Sequence, residues 1–286
     1  MMSNMESGSI GGGKNPDDAT SMLKSVIGAG KSVVQKVDSE QIRHFIEQQK
    51  GISGPVTITN IRGNTNVGAS SGIVLFTATY NINATAVTRD LVLRHAPTSD
   101  SRLFFEYDLG RQYKVQRALW GRDIPVPETL WLDAGGRYFG AQGFIMALTP
   151  GVAPNPSAFA IGPLAEASAQ HRQQMLNEVM RALVAIHNTD IKAVGLDDFV
   201  MNAAGKDPFE RCINWYWQTW EWVKLPEYDR LVPIHRWLLE NLPEGKTELM
   251  HGDSTLHNYL FRENHLVAVL DWEMSSLGRA EADLAL

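Results

Sequence analysis

The stretch from Leu249 to Leu286, LMHGDSTLHNYLFRENHLVAVLDWEMSSLGRAEADLAL, constrains this chain more than any other. Two apolar residues, Leu249 and Met250, lead into His251, Gly252 and Asp253, and Asn258 stands five residues beyond that aspartate. A second apolar run, Leu266 to Leu270, delivers Asp271 at its end. Two short strands would thus bring together a carboxylate, an amide and a second carboxylate. Phosphoryl transfer from a magnesium nucleotide needs this set. One carboxylate orients the attacking hydroxyl and accepts its proton, while the amide oxygen and the other carboxylate hold the metal on the phosphates. Oxygen donors suit Mg²⁺, which keeps some waters and shares the rest of its coordination between protein and phosphate. A plain hairpin with polar turns is the other reading of the same residues.

The segment resembles the signature of the aminoglycoside phosphotransferase and choline kinase-like family, H-G-D-x-x-x-x-N followed by an apolar strand and an acidic metal ligand. The branch linked to acyl-CoA dehydrogenases adds L-D-W-E, a glycine and D-L-A. Here these are Leu270, Asp271, Trp272, Glu273, Gly278, Asp283, Leu284 and Ala285. The resemblance implies an α+β, protein-kinase-like fold of two lobes, with a β-rich N-lobe and a mainly helical C-lobe. It implies ATP and Mg²⁺ as cofactors, Asp253 as the catalytic residue, and Asn258 and Asp271 as metal ligands. His251 would brace the loop. The family continues for several helices past D-L-A, so the chain is expected to be a truncated form.

Composition agrees. The chain has 286 residues, 44% of them hydrophobic, enough for one large or two modest domains. A net charge of -6 without long charge runs argues against a nucleic-acid surface. Cys212 is alone, so no intramolecular disulfide forms and a reducing, cytoplasmic compartment is expected. No apolar run reaches the ~20 residues of a membrane span. The sequence leaves the oligomeric state open.

Residues 1–37 read as a polar, glycine-rich tail, 38–148 as the nucleotide-binding lobe, and 149–286 as the helical lobe with the catalytic loop. Within the tail, Ser25 to Ser32 is a near miss to a phosphate-binding Walker loop, but Ser25 replaces the first glycine and no strand precedes it. Ser39 to Gln49 starts like a capped helix. Three strands follow, at Val56–Ile61, Ile73–Tyr80 and Leu91–Leu93. The small-residue loop between the first two contains Asn64, Thr65 and Asn66, whose amides would cover nucleotide phosphates. Gly68-x-Ser70-x-Gly72 formally matches a hydrolase nucleophile elbow, which needs a helix after it.

Arg94 ends the third strand where a kinase fold puts its phosphate-binding lysine, and it would grip phosphate with both arms of its fork. Leu103 to Trp120 reads as a helix. The family pattern R-E-Y stands here as Arg111-Gln112-Tyr113, which removes the usual carboxylate partner of Arg94, and Glu106 on the same expected helix is a candidate substitute. The interlobe hinge falls at Phe144 to Gly151, with Met146 to Leu148 facing the adenine; Met146 reads equally as core filler.

Beyond Pro154 and Pro156 the chain reads as helical. Met175, Leu176, Val179, Met180, Leu183 and Ile186 share one face, and His187 follows as a packed or capping residue. Trp215, Tyr216, Trp217, Trp220 and Trp222 suit core for most and a substrate pocket for one or two. His257 is a candidate for the pocket, and a zinc site from His251, Asp253 and His257 is conceivable without any supporting pattern.

Three function classes follow. The favoured one is an ATP-dependent kinase of a small-molecule hydroxyl, with a hydroxyacid or hydroxyacyl thioester preferred over an aminoglycoside or choline. The others are a catalytically weak kinase-like binding module and a hydrolase using Ser70.

Overall fold

One strand of the first half of the molecule shows the two-residue period of a half-buried strand most plainly. In β2 (Gly72–Ile82) Val74, Phe76, Ala78 and Tyr80 point inward while Thr77 and Thr79 face out. The computed structural model describes residues 37–63, 71–97, 104–155, 157–223 and 228–285. Asn64, Thr65, Asn66, Ser70 and the Ser25–Ser32 segment lie outside them. β1 (Ile52–Gly63), β2, β3 (Thr85–His95), β4 (Thr129–Asp133) and β5 (Gly143–Ala147) form one antiparallel sheet in the order β1-β2-β3-β5-β4.

β3 is the central strand, and its end, Leu91 to His95, is buried on both faces. Leu91 and Leu93 pack with Ile42, Phe45 and Ile46 of α1 (Ser39–Glu47), which is capped by Asp38. Val92 packs on the opposite face with Leu109, the first residue of α2 (Leu109–Leu119). β2 after Gly72 is a strand, so the helix that a nucleophile elbow requires is not there.

α2 begins six residues later than its periodicity suggests. The Asp108 carboxylate accepts the Arg111 amide at 3.2 Å and so caps the helix at that point. Glu106 therefore precedes the helix, and it accepts a bond from Asn202 at 3.0 Å instead of substituting for the missing partner of Arg94.

The second half packs helices around small sheets. After a one-turn α3 (Pro163–Glu166), α4 (Ala169–His187) buries Met175, Val179, Ala182, Leu183 and Ile186 against Tyr259, Phe261 and Val269. Met180 is 48% exposed, so it falls off the expected apolar face. α5 (Pro208–Val223) buries Cys212 and Trp215, whereas α6 (Tyr228–Glu240) buries none of its residues. Tyr216, Trp220 and Trp222 are exposed and only Trp215 of the five aromatics from Trp215 to Trp222 is buried, so the expectation that most of them are core is corrected.

The segment from Glu248 to Ala285 folds as two nested antiparallel strand pairs. β6 (Glu248–Met250) pairs with β9 (Ser276–Gly278), and β7 (Tyr259–Arg262) pairs with β8 (His265–Val269). Residues 251–258 and 270–275 join them, and the single turn α7 (Glu281–Leu284) follows.

Candidate active site

The loop after β6 is held by the carboxylate of Asp283. This side chain is fully buried, and its oxygens accept the amides of His251 and Gly252, each at 2.8 Å. Nε2 of His187, at the end of α4, donates to the same carboxylate at 2.8 Å. Ser254 donates to the Asp283 carbonyl. A buried carboxylate needs such donors to replace its hydration. His251 closes a second ring of contacts. Its Nε2 donates to the Leu270 carbonyl at 2.8 Å and its Nδ1 accepts the Asp253 amide at 3.2 Å, which sets the proton on Nε2.

Gly252 sits at φ +85°, and a Cβ there would lie 2.1 Å from the Met274 carbonyl oxygen. Only glycine lets the loop pass so close to the 3₁₀ turn at 272–274.

Asp253 and Asn258 are brought together. Nδ2 of Asn258 donates to the Asp253 carbonyl at 2.8 Å and to its carboxylate at 2.9 Å, and Thr255 donates to the other carboxylate oxygen at 3.1 Å. With its nitrogen committed, the oxygen of Asn258 is the end left for a cation. The Asn258 carbonyl accepts the Leu270 amide at 2.8 Å, tying this loop to the residue before Asp271.

Asp271 has left-handed backbone angles, φ 63° and ψ 63°, uncommon for a residue with a side chain. Its Oδ1 lies 3.1 Å from both Nη1 and Nη2 of Arg94. Arg94 also donates to Ser71 Oγ at 3.2 and 2.7 Å, and its Nη2 is 4.0 Å from the Glu273 carboxylate. The register of the sheet explains the meeting. Gly72 pairs with His95, so Ser71 lies just past the Arg94 side chain, and Arg94 itself stands between Ile73 and Phe144.

Gln112 is 1% exposed and its Oε1 has no hydrogen-bond partner among the described residues. Arg94 is held by Asp271 and Ser71 in place of the helix residue.

Met146 is packed beside Val92, Leu109 and Phe144, with Gln116 Nε2 3.9 Å from its sulfur. The Leu148 amide donates to the Asp90 carbonyl at 2.9 Å and the Ala147 amide to Glu128 at 2.8 Å, so neither amide is free for an adenine. His257 is exposed and lies 3.1 Å from Thr255 Oγ1, and no metal-holding group of three His, Cys, Asp or Glu exists among the described residues. The zinc possibility therefore lapses.

The sequence reading missed Ser71, whose only signal is that it is the last polar residue before β2. It also left His187 without a partner, because Asp283 is 96 residues away.

With this geometry in view, the profile of the phosphotransferase enzyme family matches residues 76–286. The chain belongs to that family. Among curated proteins, this phosphotransferase family member is similar to mouse acyl-CoA dehydrogenase family member 10, 31% identical over 69% of this chain and 18% of the relative. It is also similar to rat acyl-CoA dehydrogenase family member 11, 30% identical over 68% of this chain and 24% of the relative. The chain thus spans about a fifth to a quarter of those relatives.

Among solved structures, a proposed aminoglycoside phosphotransferase from Ralstonia eutropha superposes with a TM-score of 0.60 at 24% identity, covering 87% of this chain and 68% of the other. An aminoglycoside phosphotransferase in ternary complex with streptomycin and ATP gives 0.53 at 19%, covering 87% and 76%. These likenesses establish the α+β, two-lobed, protein-kinase-like fold.

Proposed function

We propose that this phosphotransferase family member moves the γ-phosphoryl group of ATP, with Mg²⁺, to a hydroxyl of a small molecule. The observation that carries the reading is the meeting of two segments. Asp253 and Asn258 share one braced loop, and Asp271 stands at the end of the next strand against buried Arg94. In this reading Asp253 holds the acceptor hydroxyl in line and receives its proton as the new P–O bond forms. A carboxylate is a weak base for an alcohol, so alignment is its main contribution.

The Asn258 oxygen and Asp271 would hold the metal. A neutral oxygen and one carboxylate suit Mg²⁺, which leaves its other positions to phosphate and water. When bound, Mg²⁺ neutralises charge on the phosphates. Arg94 would grip a phosphate oxygen bidentately, assisted by amides of the loop containing Asn64, Thr65 and Asn66. The base would lie beside Met146 and Leu148. The solved relative with ATP bound supports the choice of nucleotide. The single buried cysteine supports a reducing, cytoplasmic setting. No helix among the described residues is long and apolar enough to cross a membrane.

For the acceptor we favour a hydroxyacid or hydroxyacyl thioester. An apolar cavity of about 320 Å³ reaches the loop at Gly252, walled by Met201, Cys212, Tyr216, Leu238 and Met250. A polycationic aminoglycoside needs carboxylates to replace its hydration. The one carboxylate in the lining, Asp283, is already committed to the His251 and Gly252 amides, and in the sequence the segment from Asp207 to Glu240 mixes Glu210, Glu221, Glu227, Asp229 and Glu240 with Arg211, Lys224, Arg230 and Arg236. The acyl-CoA dehydrogenase names of the curated relatives point the same way by analogy. The test is side-by-side turnover of kanamycin-type amines, choline and 4-hydroxyacyl thioesters with Mg-ATP. Preference for the hydroxyacyl compounds is expected; efficient phosphorylation of an amine with none of the hydroxyacyl compound overturns the acceptor.

A further inference from the structure

Arg94 has a second property that its phosphate-binding role does not require. Its side chain is 8% exposed, and four hydrogen bonds fix it, two to Ser71 Oγ and two to Oδ1 of Asp271. A guanidinium carries five N–H donors, so one remains. Both bonds to Asp271 fall on the same carboxylate oxygen, and the second oxygen is not engaged by Arg94. Glu273 adds a second carboxylate 4.0 Å from Nη2, so the cation lies within an acidic pair.

We propose that Arg94 is the built-in counter-ion of Asp271, which holds back divalent-cation binding until a polyphosphate engages the same guanidinium. The inference rests on the reading of Asp271 as a metal ligand. A carboxylate beside a fixed cation attracts a divalent ion weakly, because the two cations repel across a few ångströms in a site of reduced dielectric. Anionic phosphate oxygens compete for the same fork, since guanidinium matches phosphate as well as carboxylate. When they take it, the full charge of Asp271 is released to the metal. Nucleotide and metal binding are then coupled through the protein, beyond their affinity for each other in solution, and by linkage the coupling is reciprocal. Ser71 serves this arrangement by pinning the guanidinium in place.

Mn²⁺ binding to the full chain without nucleotide, followed by the loss of the free-ion paramagnetic resonance signal, tests the proposal. Arg94→Gln is expected to bind Mn²⁺ roughly tenfold tighter than the wild type, within the range usual for such couplings. Ser71→Ala keeps the charge but frees the guanidinium, and a few-fold gain is expected. Adding Asp271→Asn to Arg94→Gln should abolish the gain. Thermal unfolding checks each variant, and if Arg94→Gln does not fold, Ser71→Ala decides. Unchanged or weaker Mn²⁺ binding in the folded variants overturns the counter-ion role. Failure of the underlying reading looks different: Mn²⁺ binding in the presence of ADP would then be the same in Asp271→Asn as in the wild type.

Discussion

The loop that carries Asp253 and the junction that carries Asp271 are held by different kinds of contact. Asp253 is fixed by neighbours in its own segment, Thr255 and Asn258, and its loop is anchored on the buried Asp283. Asp271 is joined to the sheet by one guanidinium from a strand 177 residues earlier in the chain. The first arrangement places a carboxylate rigidly before substrate arrives. The second uses an ion pair whose partner a ligand can replace. Substitutions in the two places should therefore fail in different ways.

The largest effect is expected at Asp253. Asp253→Ala should lower turnover by about 10²- to 10⁴-fold, the usual span for a positioned acid–base group, with little change in thermal midpoint. Full turnover by this variant would end the assignment. Asp283→Ala should strike stability first. It leaves the His251 and Gly252 amides without their acceptor, at roughly 1–3 kcal/mol for each buried group, measurable by urea unfolding. Unchanged stability would mean that the loop is not braced as described.

On the other side, Arg94→Ala should raise the apparent constant for ATP. Gln112→Ala should change it by no more than a neutral contact's worth, about 1 kcal/mol, because the Gln112 oxygen has no partner to lose. Equal damage from the two changes would break the contrast.

The smallest effect concerns His95, the next residue along β3. Burial pushes its pKa below the ordinary histidine value, so it stays neutral in the fold. The unfolded chain binds that proton more readily. Stability should then fall as pH drops below the ordinary histidine range, until the folded protein also protonates. His95→Gln should flatten that slope in unfolding measured from pH 7 to 5.

The parts of the molecule governed by local pattern were legible in the sequence. The strands and α4 follow apolar periodicity, and the spacing from His251 to Asp271 brings the polar groups together once two strands are assumed. What was not legible depends on long-range pairing. Nothing near Ser71 announces that sheet register will set it beside Arg94, and nothing near His187 points to Asp283. The start of α2 was misread because Phe105 stands at helical spacing from Leu109 and Tyr113 while packing on Trp215 outside the helix. The tryptophans of α5 were misread because hydrophobicity alone does not tell a helix with one buried face from one packed all round.

The most direct test of the division between the two carboxylates is a calorimetric titration of ATP, at saturating Mg²⁺, into Asp253→Asn and Asp271→Asn. Asp253→Asn should bind as the wild type does, since its role begins with the acceptor. Asp271→Asn should bind at least several-fold more weakly. Equal weakening in both, or a loss confined to Asp253→Asn, would contradict the assignment of separate tasks to the braced loop and the exchangeable junction.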